Sequence, residues 1–195
     1  MRTWILIAGR RFAGKDTAAD TLAQLMRRQC TDDGNIIVVR TSFAEIAKRE
    51  FCSANNLDYT RIMSDRDYKE RHRAALIDYA MSRRGEDEDY FVRMVEQRYP
   101  HVEHTENIFV IISDHRFPNE QRFLAQTGDR CITMRVEASE EARRSRGWTY
   151  VADVDDSVSE LGSGLEIDYK LANNSDCSAL ERAVIDVLRE CGLIQ

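Results

Sequence analysis

The stretch Gly9-Arg10-Arg11-Phe12-Ala13-Gly14-Lys15-Asp16-Thr17 constrains this chain more than any other. It follows the apolar run Trp4-Ile5-Leu6-Ile7-Ala8 and precedes a helical pattern from Ala18 to Met26. A strand, Gly-x4-Gly-Lys and a helix together make the context of a phosphate-binding loop. Glycines let the backbone curl so that successive N–H groups point at one anion. The positive end of the following helix adds to that field, and Lys15 is expected to bring a full charge to the outer phosphates. Asp16 stands where a Ser or Thr usually holds Mg²⁺, and Thr17 comes one place late. The plainer alternative is a Gly-rich turn with a solvated lysine, but both the spacing and the flanks favour the phosphate loop.

Composition narrows the partners. The 195 residues carry a net charge of −6, which argues against a general nucleic-acid binder, whose domain would be basic. Local arginines can still hold an anionic small molecule. The cysteines at 30, 52, 131, 177 and 191 form no C-x-x-C pair and read as reduced thiols. No run approaches the length of a membrane span. Met1 leads directly into the first strand, so no cleavable leader is expected there. A cytoplasmic monomer that binds neither membrane nor nucleic acid is the expectation. The length suits one domain over 1–195 with an acceptor-binding segment at about 42–98 and a mobile lid at about 138–165.

Along the chain, strands are expected at 3–8, 36–40, 108–112, 131–136 and 168–171, with helices between them. The first helix should run to Gln29 and Thr31–Asn35 should turn. The β-branched run Ile36–Arg40 reads as a strand buried on both faces. Ser42 and Glu45 have capping-box spacing. Short and long helices should follow at Leu57–Met63 and from Asp65 or Asp67 to Arg84, then an acidic turn at Gly85–Glu88 and a helix from Asp89 to Tyr99. Further helices are expected at Asn119–Thr127, Ser139–Arg146 and Ser178–Cys191. This alternation means an α/β fold with a five-stranded parallel sheet and helices on both faces. Ligands should gather at the carboxyl ends of its strands.

Several groups could do chemistry there. Ser113-Asp114-His115-Arg116 follows the third apparent strand. Asp114 can order a metal-bound water, and Arg116 can take a phosphate bidentately. Arg143 and Arg146 lie three apart on one helical face and could clamp a transferring phosphoryl group, or simply pair with Glu140 and Glu141. Lys48, Tyr68, Lys69, Arg71, Arg73, Arg83, Arg84 and Arg93 exceed what solubility needs in an acidic chain, and suggest a second anionic substrate. Asp153, Asp155 and Asp156 lie near Ser157, Ser159 and Glu160. This knot reads either as a helix cap, with Asp156 or Ser157 capping and Glu160 in the capping-box place, or as contacts that orient the flap or meet substrate hydroxyls. Asn173-Asn174 fits a turn or an amide reading an adenine edge. His101 and His104 are read as surface residues.

Taken together, these residues resemble the animal-type phosphomevalonate kinase family, a branch of the P-loop, nucleoside-monophosphate-kinase-like fold. The resemblance runs through Arg10–Asp16, Tyr68-Lys69-Glu70 with Arg73, Arg83-Arg84, Tyr90-Phe91-x-Arg93 and Ser113-Asp114. It continues through Arg143-x-x-Arg146-Gly147-Trp148, Val154-Asp155-Asp156, Ser159-Glu160 and Asp168 to Asn173-Asn174. A basic Gly-Lys-Asp loop is the family's own. His115 departs from the pair of adjacent arginines that the family usually has after its Asp. Asp-x-Arg-Phe-Pro-Asn-Glu and Gly14-Lys15-Asp16-Thr17 are instead similar to phage-type deoxynucleoside monophosphate kinases.

The resemblance implies a three-layer P-loop kinase fold with a lid. It also implies an ATP-dependent phosphotransferase making 5-diphosphomevalonate from 5-phosphomevalonate in the isoprenoid and sterol pathway. Lys15, Arg116, Arg143 and Arg146 would carry the chemistry. ATP would meet Gly9 through Thr17, Arg146 and Asn174, and the small-molecule acceptor would meet Lys48, Lys69, Arg73, Arg84, Arg93, Ser113, Asp114, Arg116 and Asn173. Mg²⁺ would be reached through water by Asp16, Thr17 or Asp114. A deoxynucleoside monophosphate acceptor, or a nucleotide-binding regulatory module without catalysis, are the alternatives.

Overall fold

The computed structural model describes residues 1–29, 36–100 and 107–194. Cys30, the turn expected at Thr31–Asn35, and His101 and His104 lie outside the described residues. Contacts divide the chain into two compact units, one made of 1–41 with 101–195 and the other of 42–100.

The first unit carries all five strands: β1 (Arg2–Gly9), β2 (Ile36–Thr41), β3 (Asn107–Ile112), β4 (Arg130–Glu137) and β5 (Tyr169–Ala172). They form one parallel sheet in the order β2-β3-β1-β4-β5. The apolar run of β1 sits at the centre because a strand with a neighbour on each side and a layer on each face exposes nothing to water. Trp4 to Ile7 are fully buried. On one face, Ile5, Ile7, Ile111 and Met134 pack against Leu22 of α1 (Lys15–Gln29) and Leu180 and Val184 of α10 (Cys177–Glu190). Successive strand residues point to opposite faces, and on the other face α6 (Pro118–Gln126) lies against β4. This is the three-layer α/β architecture expected. Strand β2 corrects one expectation. It is an edge strand, and Ile37 is 38% exposed rather than buried on both faces. Its β-branched run reports strand propensity and says nothing about which place in the sheet the strand takes.

Beyond β4 come the short helices α7 (Glu140–Ser145), α8 (Ala152–Asp155) and α9 (Val158–Leu161). They occupy the segment read from sequence as a lid.

The second unit is helical: α2 (Phe43–Ala54), α3 (Tyr59–Ser64), α4 (Arg66–Glu86) and α5 (Tyr90–Arg98). Ser42 caps α2, its hydroxyl accepting the Glu45 N–H at 3.1 Å. Asp58 and Asp65 cap α3 and α4 in the same way. These bonds satisfy N–H groups that a helix start leaves without partners. The acidic turn expected at Gly85–Glu88 begins later than read, since α4 continues through Gly85 and Glu86 to a cap at Asp87. Phe51 and Tyr79 pack ring to ring at 5.9 Å. Tyr79 and Tyr90 both donate to the Glu50 carboxylate, at 3.2 and 2.9 Å, joining α2, α4 and α5. Among the described residues no helix is long and apolar enough to cross a membrane.

Candidate active site

The loop Gly9–Gly14 leaves the carboxyl end of β1 and turns into α1. Two glycines are required by the shape. Gly9 has φ +147, and a Cβ there would stand 2.6 Å from the Val136 carbonyl oxygen. Gly14 has φ +98, and its Cβ would stand 2.2 Å from the Asn173 amide nitrogen. Phe12 also adopts a left-handed φ of 60 with its ring partly exposed, a backbone region where bulky side chains are uncommon. Lys15 folds back over the loop, donating from Nζ to the carbonyls of Gly9 at 2.7 Å and Arg10 at 3.0 Å. Burial draws its ammonium pKa below the usual lysine value. Glu160 is the chief opposing charge, Arg116 lowers it further, and Asp16 and Asp114 oppose more weakly.

Arg146 caps the end of α7 and reaches the same loop. Its Nη1 donates to the carbonyls of Phe12 and Ala13 at 3.3 and 3.4 Å, and its Nη2 to Asn173 O at 2.8 Å and Oδ1 at 3.2 Å. Asn173 itself donates from Nδ2 to Ala13 O at 2.8 Å. Asn174 accepts the Ser139 N–H at 2.7 Å, which ties the loop after β5 to the start of α7.

Arg143 does not share an open face with Arg146, contrary to the helical spacing. It is 2% exposed, stacked 3.8 Å from the Trp148 ring centroid and 3.7 Å from Asp155 Oδ1. Burial, with the nearby Arg10 charge, lowers its pKa. Asp155 accepts from Trp148 Nε1 at 3.0 Å and Val151 N at 2.8 Å, and faces Arg11 Nη1 at 3.6 Å. Burial pushes its carboxyl pKa up, but those N–H groups and the two guanidiniums outweigh burial and hold it below the ordinary value. Of the acidic knot, Asp155 therefore ties Trp148 and Val151 to Arg11 and Arg143. Ser157 makes no side-chain cap, and Glu160 is not a capping-box residue. Its carboxylate instead accepts the Arg11 N–H and an Arg116 N–H. A four-residue helix has little backbone to cap, whereas a buried carboxylate must find strong donors.

Arg116 Nη1 bonds Ser159 O and Glu160 Oε2, each at 3.3 Å. His115 is buried, with Nδ1 at 3.1 Å from Glu120 Oε2. That oxygen also accepts the N–H groups of Arg116 and Phe117, so the histidine braces the turn that presents Arg116. Ser113 Oγ donates to Asp16 Oδ1 at 3.2 Å, and Arg40 pairs with Asp16 and with Asp20. Asp114 is half-buried beside this group and Thr17 is exposed.

A sequence model of the family described as phosphomevalonate kinase matches residues 7–129, more than half of the chain. A Drosophila melanogaster protein named phosphomevalonate kinase is 32% identical over 192 residues, spanning 94% of this chain and 93% of that one. The chain belongs to the phosphomevalonate kinase family. A solved gluconokinase from Sinorhizobium meliloti 1021 covers 97% of this chain and 93% of its own at a TM-score of 0.53 and 11% identity, a likeness of fold.

The residues that the family resemblance assigns to the acceptor divide between the two units. Ser113, Asp114, Arg116 and Asn173 lie in the first. In the second, Lys48 lies on α2, Lys69, Arg73 and Arg84 on α4, and Arg93 on α5. Arg84 sits 5.2 Å over the Phe91 ring, Arg93 pairs with Asp87, and Arg73 donates from Nε to Glu70 at 2.8 Å. Two residues with direct roles in the site's geometry were not read from sequence as site residues: Arg40, which engages Asp16, and Trp148, which covers Arg143. Glu160, read from sequence as a capping-box residue or as part of a knot that orients the flap, meets the loop itself, a contact that no local spacing signals.

Proposed function

We propose that the chain is an ATP-dependent kinase that transfers a phosphoryl group to 5-phosphomevalonate, giving 5-diphosphomevalonate and ADP in isoprenoid biosynthesis. The observation that supports it most is the meeting of Lys15, Arg116 and the lid residue Arg146 around a Gly9–Gly14 phosphate loop, in a member of this family.

The acceptor is itself a phosphate, so no strong general base is required, and catalysis reduces to positioning and charge neutralisation. Lys15 and the loop N–H groups hold the outer phosphates of ATP. Arg146 closes over the loop and meets the charge that spreads over the transferring group. Arg143 acts by holding the lid through Trp148 and Asp155 rather than by contact. Arg116 takes the acceptor phosphate, and Lys48, Lys69, Arg73, Arg84 and Arg93 take its remaining charge. Arg73 and Arg84, eleven residues apart on one face of α4, stand about 16 Å apart along the axis. Asn173 joins lid to loop, and Asn174 borders the adenine. The lid keeps water from the transferred group.

Asp16, Thr17 and Asp114 are hard oxygen donors of the kind Mg²⁺ takes. Among the described residues no cluster of three acidic, His or Cys groups could hold a metal alone. Asp16, Thr17 and Asp114 would hold such an ion through water, and it would neutralise phosphate charge.

The test is release of ADP by the purified chain with phosphomevalonate and, separately, with a panel of nucleoside monophosphates. Turnover with phosphomevalonate alone is expected. Turnover with nucleotides alone would overturn the reading.

A further inference from the structure

One carboxylate of the chain is bound by a backbone N–H of the phosphate loop and by a nearby arginine. Glu160 of α9 is 4% exposed. Its Oε1 accepts the backbone N–H of Arg11 in the phosphate loop, and its Oε2 accepts Arg116 Nη1–H at 3.3 Å. Among the charges acting on Lys15, Glu160 is the one that most favours the ammonium form. A buried anion held by a loop N–H, a guanidinium and the field of a lysine is in the environment that phosphate loops offer to phosphates.

We infer that Glu160 is a positioning residue that serves as an internal anion: it holds the Arg11 N–H, Arg116 and the lid in register on the nucleotide-free loop, and surrenders those donors to the phosphate chain of ATP. The inference rests on the kinase reading above.

The displaced carboxylate has a place to go. A cavity of about 200 Å³ lies against the ends of β1 and β4, lined by Gly9, Arg10, Arg135, Val136 and Glu160 among others. Arg135 donates from Nη2 to the Gly162 carbonyl at 2.9 Å, at the end of α9. Its Nε, buried, has no hydrogen-bond partner among the described residues. A buried donor without an acceptor is unfavourable, and a carboxylate swung into this cavity supplies one. Glu160 then has two arrangements: loop-bound when the nucleotide is absent, and Arg135-bound when the outer phosphates take its place. A ligand that binds only the second arrangement shifts the population toward it. Arg116, released from Glu160, becomes available to the acceptor in the same event, so nucleotide binding readies the acceptor side.

The experiment is calorimetric titration of the full chain with ATP and with AMP, in the absence of acceptor, for the wild type and for Glu160→Gln, Glu160→Asp and Asp153→Asn. Asp153 is an exposed acid of the same segment and controls for overall charge. Removing the internal anion should lower the Kd for ATP about tenfold in Glu160→Gln, with AMP and the Asp153→Asn variant changed less than about twofold. In the coupled assay kcat should fall about tenfold or more, because Arg135 loses the carboxylate that holds α9 in the nucleotide-bound arrangement, and Glu160→Asp should recover part of it. A merely structural lid residue would instead weaken ATP binding. Unchanged or weaker ATP binding by a natively folded Glu160→Gln, or an equal gain in Asp153→Asn, would overturn the inference. Should Glu160→Gln lose its circular dichroism spectrum, Glu160→Asp decides. Its shorter carboxylate should tighten ATP binding about threefold, and no gain overturns the inference. Absence of ATP binding by the wild type would remove the kinase reading and this inference with it, whereas wild-type binding with an unchanged variant ratio removes this inference alone.

Discussion

Asn173 stands so close to Gly14 that a Cβ on the glycine would lie 2.2 Å from the Asn173 amide nitrogen. That nitrogen is engaged, donating to the Ala13 carbonyl at 2.8 Å. The loop after β5 is thus pressed onto the phosphate loop at a residue that has no side chain to resist it. Gly14→Ala should destabilise the protein by more than about 1 kcal/mol through the positive φ alone, with the displaced amide adding to the loss. ATP affinity should fall with it. Urea denaturation and ATP titration check both, and native values for each would contradict the contact. In Gly14→Ala with Asn173→Ala, the steric part should be relieved while the backbone strain persists.

Lys15→Met should abolish turnover and leave the circular dichroism spectrum unchanged. The ammonium makes its hydrogen bonds with two carbonyls at the very end of β1 and the start of the loop, away from the buried centre of the sheet, and its departure removes the charge needed at the phosphates. Measurable turnover near the wild-type rate would exclude Lys15 from the reaction.

The two lid arginines should separate cleanly. Arg146→Ala is expected to reduce kcat about 10³-fold, the lower end of what such arginines supply, with a smaller effect on ATP affinity and little on stability. Arg143→Ala should destabilise by about 3 kcal/mol, because it strips a buried partner from Asp155 and leaves space beneath Trp148. Thermal denaturation together with initial rates distinguishes them. Equal losses of stability would refute the division of roles.

Asp155 should leave a mark on acid denaturation. The two guanidiniums and the N–H donors around it hold its folded-state pKa below the ordinary aspartate value. The stability it contributes is therefore present above that value and is lost as pH falls through the lower, folded one. As pH falls through and below the ordinary carboxylate range, wild type should lose more stability than Asp155→Asn. Urea midpoints measured across that range would show parallel losses if the carboxylate were not held in this way.

Arg84→Ala should raise the KM for phosphomevalonate about tenfold or more and leave the KM for ATP within about twofold, a loss of binding charge on one substrate only. A change confined to the ATP side would remove Arg84 from the acceptor's contacts.

The amino-acid sequence alone determined the local grammar of this protein. Gly9-x4-Gly14-Lys15 between an apolar run and a helical pattern specified strand, loop and helix, because φ requirements and hydrophobic period act over a few residues. Ser42 before Glu45 specified a helix start for the same reason, and the sequence narrowed the start of α4 to Asp65 or Asp67, of which Asp65 is the cap. What the tertiary structure decided were the partners across long separations. Ile36–Thr41 proved an edge strand because its place depends on which strands pair, and β3, its partner, begins some seventy residues later. Arg143 and Arg146 share a helical repeat, yet one lies under Trp148 and the other on the loop carbonyls of Phe12 and Ala13, some 130 residues away. Glu160 meets the Arg11 N–H across 149 residues. Burial, and with it the need of each buried charge for a donor or acceptor, is a property of the packed chain, and no periodicity in the sequence records it.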